Sequence, residues 1–377
     1  LVGGPFGSDL TRSDYIETPG VPVIRGTNLG GRESRFIDDG FVFVTPEKAD
    51  SLRRNMAFPG DLIFTQRGTM GQVAIIPSNC KFPRYVISQS QMKLTPNVNR
   101  VDRLYLYHYL RSPLTLNRLL SQTQATGVPH INLGILRDFT VLLPPLPEQR
   151  RIAAILDQAD GLRRKRQQAL ALTDQLATSM FREMFGNCDS RKGRWATSSV
   201  GNAVNLANGR AFKSSEWRKE GLPIIRIQNL KDADAEFNYF DGEFADQHFV
   251  EPGSLLIAWA GQLVSFGVHI WDGPPGLLNQ HIFKVTPKGK YSLVFLQQAL
   301  SEVIDRAKSQ FHGIDMKHIT KSDLVSHEFP NPPYEVQCKF EKGVSVAVSL
   351  RSRVFEATKR DAHLFESLVH RAFRGEL

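Results

Sequence analysis

The chain has 377 residues, 41% hydrophobic and 23% charged, with 47 Lys and Arg against 38 Asp and Glu for a formal net charge of +9. That is more chain than one core comfortably organises, so two or three domains are expected, and the basic balance favours an anionic partner such as nucleic acid over the plainer reading of a merely basic globular protein. Cys80, Cys188 and Cys338 are scattered without CxxC spacing, which excludes a disulfide framework and a zinc site; no apolar run could span a bilayer, and no export signal opens the chain. A soluble, cytoplasmic protein is expected.

In chain order, short apolar runs between Gly, Pro and Asn turns predict strands at 22–25, 41–44, 62–66, 73–76 and 92–95, followed by a helix over 102–122. Leu142-Leu-Pro-Pro-Leu-Pro-Glu-Gln149 then opens a long helix: Pro147 suits the first turn and Glu148 the positive end of the dipole. Ile152, Ile155, Leu156, Ala159, Leu162, Ala169, Leu176 and Met180 keep a three-four rhythm up to Gly186, a natural stop. At 1.5 Å per residue, about 38 residues make a helix roughly 57 Å long.

The second half repeats the first. Strands are expected at 223–227, 255–259, 268–271 and 282–286, a helix at 292–311, and a second long helix carrying Phe340, Val344, Ala347, Val354, Phe365, Leu368 and Phe373 up to Gly375. Pro144-Pro145 returns as Pro332-Pro333, Gln149 as Gln337, Leu176 as Leu364 and Phe185 as Phe373, always 188 residues on. Upstream the separation drifts, from 201 between Gly20 and Gly221 to 191 between Gln89 and Gln280 and 188 between His130 and His318. Loops tolerate insertions, whereas the helices hold one length, as a spacer would.

The predicted class is therefore α+β: a first domain at 1–145, a spacer helix at 146–187, a second domain at 188–332 and a second helix at 333–377. Each apolar stripe would be costly in water, so the helices are expected to bury each other's seam as an antiparallel coiled coil with pseudo-two-fold symmetry. The seam residues are Ile152, Ile155, Leu162, Leu176, Phe340, Val344, Val354 and Leu368. The second copy has residues 194–205 ahead of Gly209 with no counterpart before Leu1, which suggests an incomplete amino-terminal start. Two equivalent readers on a rigid spacer suit two DNA half-sites at fixed separation, and because the copies differ in sequence the site would be asymmetric.

Residues 128–157, VPHINLGILRDFTVLLPPLPEQRRIAAILD, closely resemble the junction of target recognition domain and helix in specificity subunits of type I restriction-modification enzymes, as do residues 21–29 and 59–64. The likeness spans essentially the whole chain; the second junction, 329–337, is carried by its spacing. The resemblance implies a non-catalytic reader of double-stranded DNA, each domain recognising half of a bipartite site. The helices would set the gap and dock two adenine methyltransferase subunits, and the assembly would recruit a restriction translocase. No cofactor is expected, because base flipping and chemistry fall to the partners.

Asn331-Pro-Pro-Tyr334 spells the catalytic tetrapeptide of adenine-N6 methyltransferases, but no Gly-rich cofactor loop accompanies it and its counterpart Leu143-Pro-Pro-Leu146 cannot do that chemistry, so helix-entry prolines are the better reading. Arg163-Arg-Lys-Arg166 is read as a solvated face, with a phosphate or acidic partner as the alternative. The ten histidines show no metal-ligand spacing. Arg25 with Asn28, and Arg226 with Asn229, follow matched strands, where they either contact DNA or fix their own loops. Recognition loops should differ between copies, which adds Arg67, Gln72, Lys81 and Arg84 in the first and Lys213, Arg218, Trp259, Gln262 and His269 in the second. The competing functions are a coiled-coil adaptor, a solitary DNA-binding regulator and a self-contained adenine methyltransferase.

Overall fold

Buried β-branched and aromatic runs, three or four residues long, set the architecture of both halves. The computed structural model describes residues 1–377 except 18, 32–33, 67–70, 123–130, 132, 187–194, 233, 261–265 and 310–319. The described chain forms two units, Leu1–Ala171 with Arg353–Leu377, and Leu172–Ser352.

In the first unit lie β1 (Val2–Gly3), β2 (Val21–Ile24), β3 (Val42–Val44), α1 (Pro46–Ser51), β4 (Met56–Ala57), β5 (Leu62–Thr65), β6 (Val73–Ile75), β7 (Tyr85–Ile87) and β8 (Gln91–Leu94). They make two four-stranded sheets, ordered β1-β8-β5-β6 and β3-β2-β7-β4. Every neighbouring pair is antiparallel except β2 with β7, where Val23 lies opposite Val86. The period-two alternation of β5 shows how the sheets stack. Leu62 and Phe64 enter the core shared with the helices, while Ile63 between them enters a core with Ile24 and Ile87 of the other sheet.

The helix expected over 102–122 is two: α2 (Arg103–Arg111) and α3 (Pro113–Ser121). Asp102 caps the first, its carboxylate accepting from the amides of Leu104 and Tyr105 at 3.0 Å. Ser112 ends it in an extended conformation and caps the second, accepting from Thr115 N at 3.2 Å. Pro113 has no N–H to continue the ladder and forces the residue before it out of the helical region. After α4 (Leu133–Asp138) comes the long helix α5 (Leu146–Phe185).

Within this unit the first half of α5 runs antiparallel to the helical stretch ending at Ala372. Ile152, Ala153 and Leu156 share a core with Val369, Ala372 and Phe373, while Arg166 pairs with Asp361 at 3.2 Å. The inward stripe of α5 is Ile152, Leu156, Asp160 and Arg163, all under 9% exposed and spaced four, four and three residues apart. Leu162, expected in the seam, is 44% exposed. The inward position belongs instead to Arg163, which is 7% exposed and bonded to Asp160 at 2.7 Å. The basic run is accordingly not a uniformly solvated face. Ile155, Val354 and Leu368 are half-buried.

The second unit repeats both sheets strand for strand. Its elements are β9 (Thr197–Ser199), α6 (Val200–Ala203), β10 (Val204–Asn208), β11 (Leu222–Ile225), α7 (Ile227–Lys231), β12 (Asn238–Phe240), β13 (Phe249–Val250), β14 (Leu255–Ala258), β15 (Gly267–Ile270), β16 (Gly276–Leu278), β17 (Ile282–Pro287), α8 (Leu293–Ser309), α9 (Lys321–Ser326), β18 (Glu328–Pro330) and the start of α10 (Tyr334–Ala372). The orders are β10-β17-β14-β15 and β12-β11-β16-β13, with β11 and β16 parallel, and β9 pairs with β18 besides. Here α5 and α10 meet through rings: Phe340 lies 5.7 Å from Phe181 and 5.6 Å from Phe185, and Phe185 lies 5.1 Å from Phe295 of α8. Leu176 and Val344 are half-buried.

Candidate functional site

Because β2 and β7 are parallel, both deliver their following loops to the same end of the first unit. Ser88 N donates to Ile24 O at 3.0 Å and joins the two exits. The loop after β1 arrives there too, with Gly4 N donating to Gln91 O at 2.8 Å. Gln89 holds that loop by donating from Nε2 to the carbonyls of Gly7 at 2.7 Å and Leu10 at 2.6 Å. The exit of β5 completes the set, Gln66 N donating to Ser90 O at 2.8 Å. Gly4 is required at this crossing, since a Cβ there would stand 2.2 Å from Ser88 O.

The second unit builds the same end from its own residues. Asn279 N donates to Ile225 O at 3.1 Å, Gly209 N to Ile282 O at 3.1 Å and Trp259 N to His281 O at 3.3 Å. A Cβ on Gly209 would lie 2.1 Å from Asn279 O. Each unit thus gathers four loops, and their side chains differ. The first presents Gln66, Gln72, Gln89 and Phe6, whose ring is 88% exposed. The second presents Trp259, stacked on Phe283 at 5.2 Å, with His281 and Gln280 beside it. Arg210 lies over the rings of Phe212 at 4.9 Å and Phe240 at 4.5 Å.

Arg25 and Arg226 begin matched turns at these ends. Asn28 is 1% exposed: its Oδ1 accepts from Arg25 N at 2.9 Å, and its Nδ2 donates to Ile37 O at 3.1 Å and Asp39 O at 2.8 Å. Asn229 is 5% exposed and does the same, accepting from Arg226 N at 3.0 Å and donating to Ala235 O at 3.1 Å and Glu236 O at 3.4 Å. Both amides are spent on their own loops. Arg25 donates from Nη2 to Gly40 O at 3.1 Å, and the guanidinium of Arg226 lies 5.4 Å over Trp217.

The other expected residues are dispersed. Gln72 joins the loop end, its carbonyl accepting from Thr65 N at 3.1 Å, whereas Arg67 and Gln262 lie outside the described residues. Lys81 and Arg84 precede β7 and pair with Asp39 at 3.8 Å and Asp50 at 2.8 Å. Lys213 opens a short turn through its backbone N, which donates to Glu216 at 2.8 Å, and Arg218 pairs with Asp241 at 3.5 Å. His269 sits on β15, where burial pushes its pKa down. Sequence reasoning passed over Phe6, Gln66, Gln89, Arg210, Gln280 and His281; only the matched pair Gln89 and Gln280 was visible beforehand.

Asn331 N donates to Ala196 O at 2.7 Å and Tyr334 begins α10, with the Lys290 ammonium 4.3 Å from its ring. Pro332 O accepts from Gln337 Nε2 at 2.9 Å, as Pro144 O does from Gln149 Nε2 at 2.8 Å. The tetrapeptide therefore builds a helix entry that both copies share. Among the described residues there is no group of three or more His, Cys, Asp or Glu that could hold a metal, and no helix is long and apolar enough to cross a membrane.

Residues 10–172 and 192–346 match the family described as type I restriction modification DNA specificity domain. The chain is 31% identical over 146 residues to the type I restriction enzyme EcoBI specificity subunit of Escherichia coli, covering 38% of this chain and 30% of that one. It is 24% identical over 279 residues to the MjaVIII specificity subunit of Methanocaldococcus jannaschii, covering 67% of this chain and 65% of that one. These matches span less than two thirds of either relative. A solved type I restriction-modification S subunit from M. genitalium shares the fold, with a TM-score of 0.54 at 15% identity over 99% of this chain and 92% of that one.

Proposed function

The chain belongs to the type I restriction modification DNA specificity family, and we propose that it is a non-catalytic subunit that selects the DNA sequence for a modification and restriction complex. Residues 1–145 and 188–332 act as target recognition domains, and the helices at 146–187 and 333–377 act as the spacer between the half-sites they read. The observation that carries this reading is the repetition of one scaffold with two different sets of loop side chains at the same end.

Each end combines what sequence readout needs. Glutamine matches adenine N6 and N7, arginine matches guanine O6 and N7, and exposed rings stack on bases or contact thymine methyl groups. We assign base-edge or phosphate contact to Arg25, Gln66, Arg67 and Gln72 in the first domain, with Phe6 as an apolar contact, while Gln89 acts through the loop it holds. In the second, Arg226, Trp259, Gln262, Gln280 and His281 take these roles, and Lys213 and Arg218 contribute phosphate contacts. Asn28 and Asn229 act through the loops they hold. Lys81, Arg84 and His269 are peripheral to this reading.

The DNA duplex is the substrate of partner subunits: two adenine methyltransferase subunits docked along the helices, and a restriction translocase in the full assembly. Adenine must leave the stack to be methylated, so the cofactor and its chemistry reside with those partners. Long-read mapping of adenine methylation tests this, comparing cells that carry this gene and a cognate methyltransferase gene with cells that carry the methyltransferase alone. An interrupted, asymmetric motif that depends on this chain is the expected result; a motif independent of it refutes the assignment.

A further inference from the structure

The first domain meets α5 through charge as well as through the apolar core that holds Ile152 and Leu156. Arg35 lies on the connection between β2 and β3, which also carries Arg25 and Asn28. Its guanidinium forms an ion pair with Asp157 of α5, and its Nε stands 3.8 Å from Asp160. It also lies 5.7 Å from the centre of the Tyr107 ring. Asp160, 1% exposed, is held in turn by Arg163 at 2.7 Å and Arg164 at 3.1 Å. Arg111 of α2 donates to Gly31 O at 2.9 Å and ties the same connection at a second point.

The second copy does without this device. The residues 188 positions beyond Asp157, Asp160 and Arg164 are Ser345, Val348 and Ser352, which carry no charge, and the counterpart of Arg163, Arg351, pairs instead with Asp174 of α5. There the helices and the domain meet through Phe181, Phe185, Phe295 and Phe340, with an ion pair at the rim, Arg182 of α5 to Glu302 of α8 at 3.1 Å. Both joints rest on an apolar core, around Ile152 and Leu156 in the first unit and around the phenylalanines in the second, so the charges gathered about Arg35 are not a requirement of the fold. Burying charges costs desolvation that the pairing offsets only when the geometry is good, so such groups are weak sources of net stability. What they do fix is direction, because a guanidinium meeting two carboxylates admits few orientations.

Resting on the bipartite reading above, we propose that Arg35 is a positioning residue whose pairing with Asp157 and Asp160 sets the orientation of the first reading end on α5, and thereby the gap length the complex accepts. A movement of about 3.4 Å at the reading end corresponds to one base pair. A joint that allows it would turn one permitted gap into several while leaving the bases read in each half-site unchanged.

The test maps adenine methylation in cells carrying the partner methyltransferase gene with wild type, Arg35→Gln, Asp157→Asn or the exchange Arg35→Asp with Asp157→Arg. Wild type is expected to give one gap. Each single variant should keep both half-sites while methylating sites with a gap one pair longer or shorter at least about tenfold above the wild-type level, and the exchange should bring that signal down again. Retention of a single strict gap by both single variants overturns the proposal, as does loss of methylation in Arg35→Gln alongside a strict gap in Asp157→Asn. A wild-type chain that directs no bipartite motif overturns the underlying reading instead.

Discussion

Replacing Asn28 by alanine separates a loop-holding role from a base-reading one. The side chain is almost wholly buried and makes three hydrogen bonds, to Arg25 N, Ile37 O and Asp39 O, at 2.8 to 3.1 Å. At about 1 kcal/mol net for each, the loss is about 3 kcal/mol. Asn28→Asp is nearly the same shape, yet it places a carboxylate against two carbonyl oxygens that now face no donor, so at neutral pH it should cost at least as much as alanine. Urea unfolding followed by hydrogen exchange reads the loss and localises it to the first unit. A loss below about 1 kcal/mol for Asn28→Ala, together with a changed first half-site, would refute the reasoning and make the amide a base contact.

Three further outcomes are expected. Phe340→Ala empties a fully buried site against Phe181 and Phe185, which should cost about 3 to 5 kcal/mol; hydrogen exchange should show the loss in the second unit. Burial holds the pKa of His108 down at about 3, against the pull of Asp160. The unfolded chain then takes up this proton first, so stability falls as pH drops from about 6.5, by up to ~1.4 kcal/mol per unit. His108→Gln should show a flatter melting curve against pH, and identical slopes would refute this. Asn331→Ala should leave the methylation pattern and its extent unchanged, because Asn331 holds the helix entry through its backbone N, which donates to Ala196 O; abolished methylation in a folded variant would restore the catalytic reading.

Much of the fold was legible because the chain states it twice. The fixed spacing after Pro144 and Pro332 reflects one helix entry built twice, down to a glutamine amide donating to a proline carbonyl in each copy. Strands β7, β10 and β16 were not among those expected, and length alone does not account for it, because β3 and β6 are as short as β7 and β16 and were expected. The break at Ser112 was written in the Ser-Pro pair and outweighed by the apolar rhythm around it. Leu162 against Arg163 is a different kind of miss: a local period favours the leucine, and the partner that makes an arginine tolerable inside, Asp160, is itself buried only with its companions in place. The recognition ends were legible least. Loops from four separate strands meet there, and hydrogen bonds between distant backbones, such as Ser88 to Ile24, decide which side chains become neighbours.

The two units differ in how they draw on the chain. Residues 172–352 form the second unit without interruption, whereas the first needs 1–171 and then 353–377. Phe365, Leu368, Val369, Ala372 and Phe373 belong to the same core as Leu62, Tyr105 and Leu156. As the polypeptide leaves the ribosome, the second unit can therefore close while the first still has its core open to water, waiting for the last turns of α10. The earlier-made half matures later, and until then its unfilled apolar face is the surface most in need of protection from aggregation.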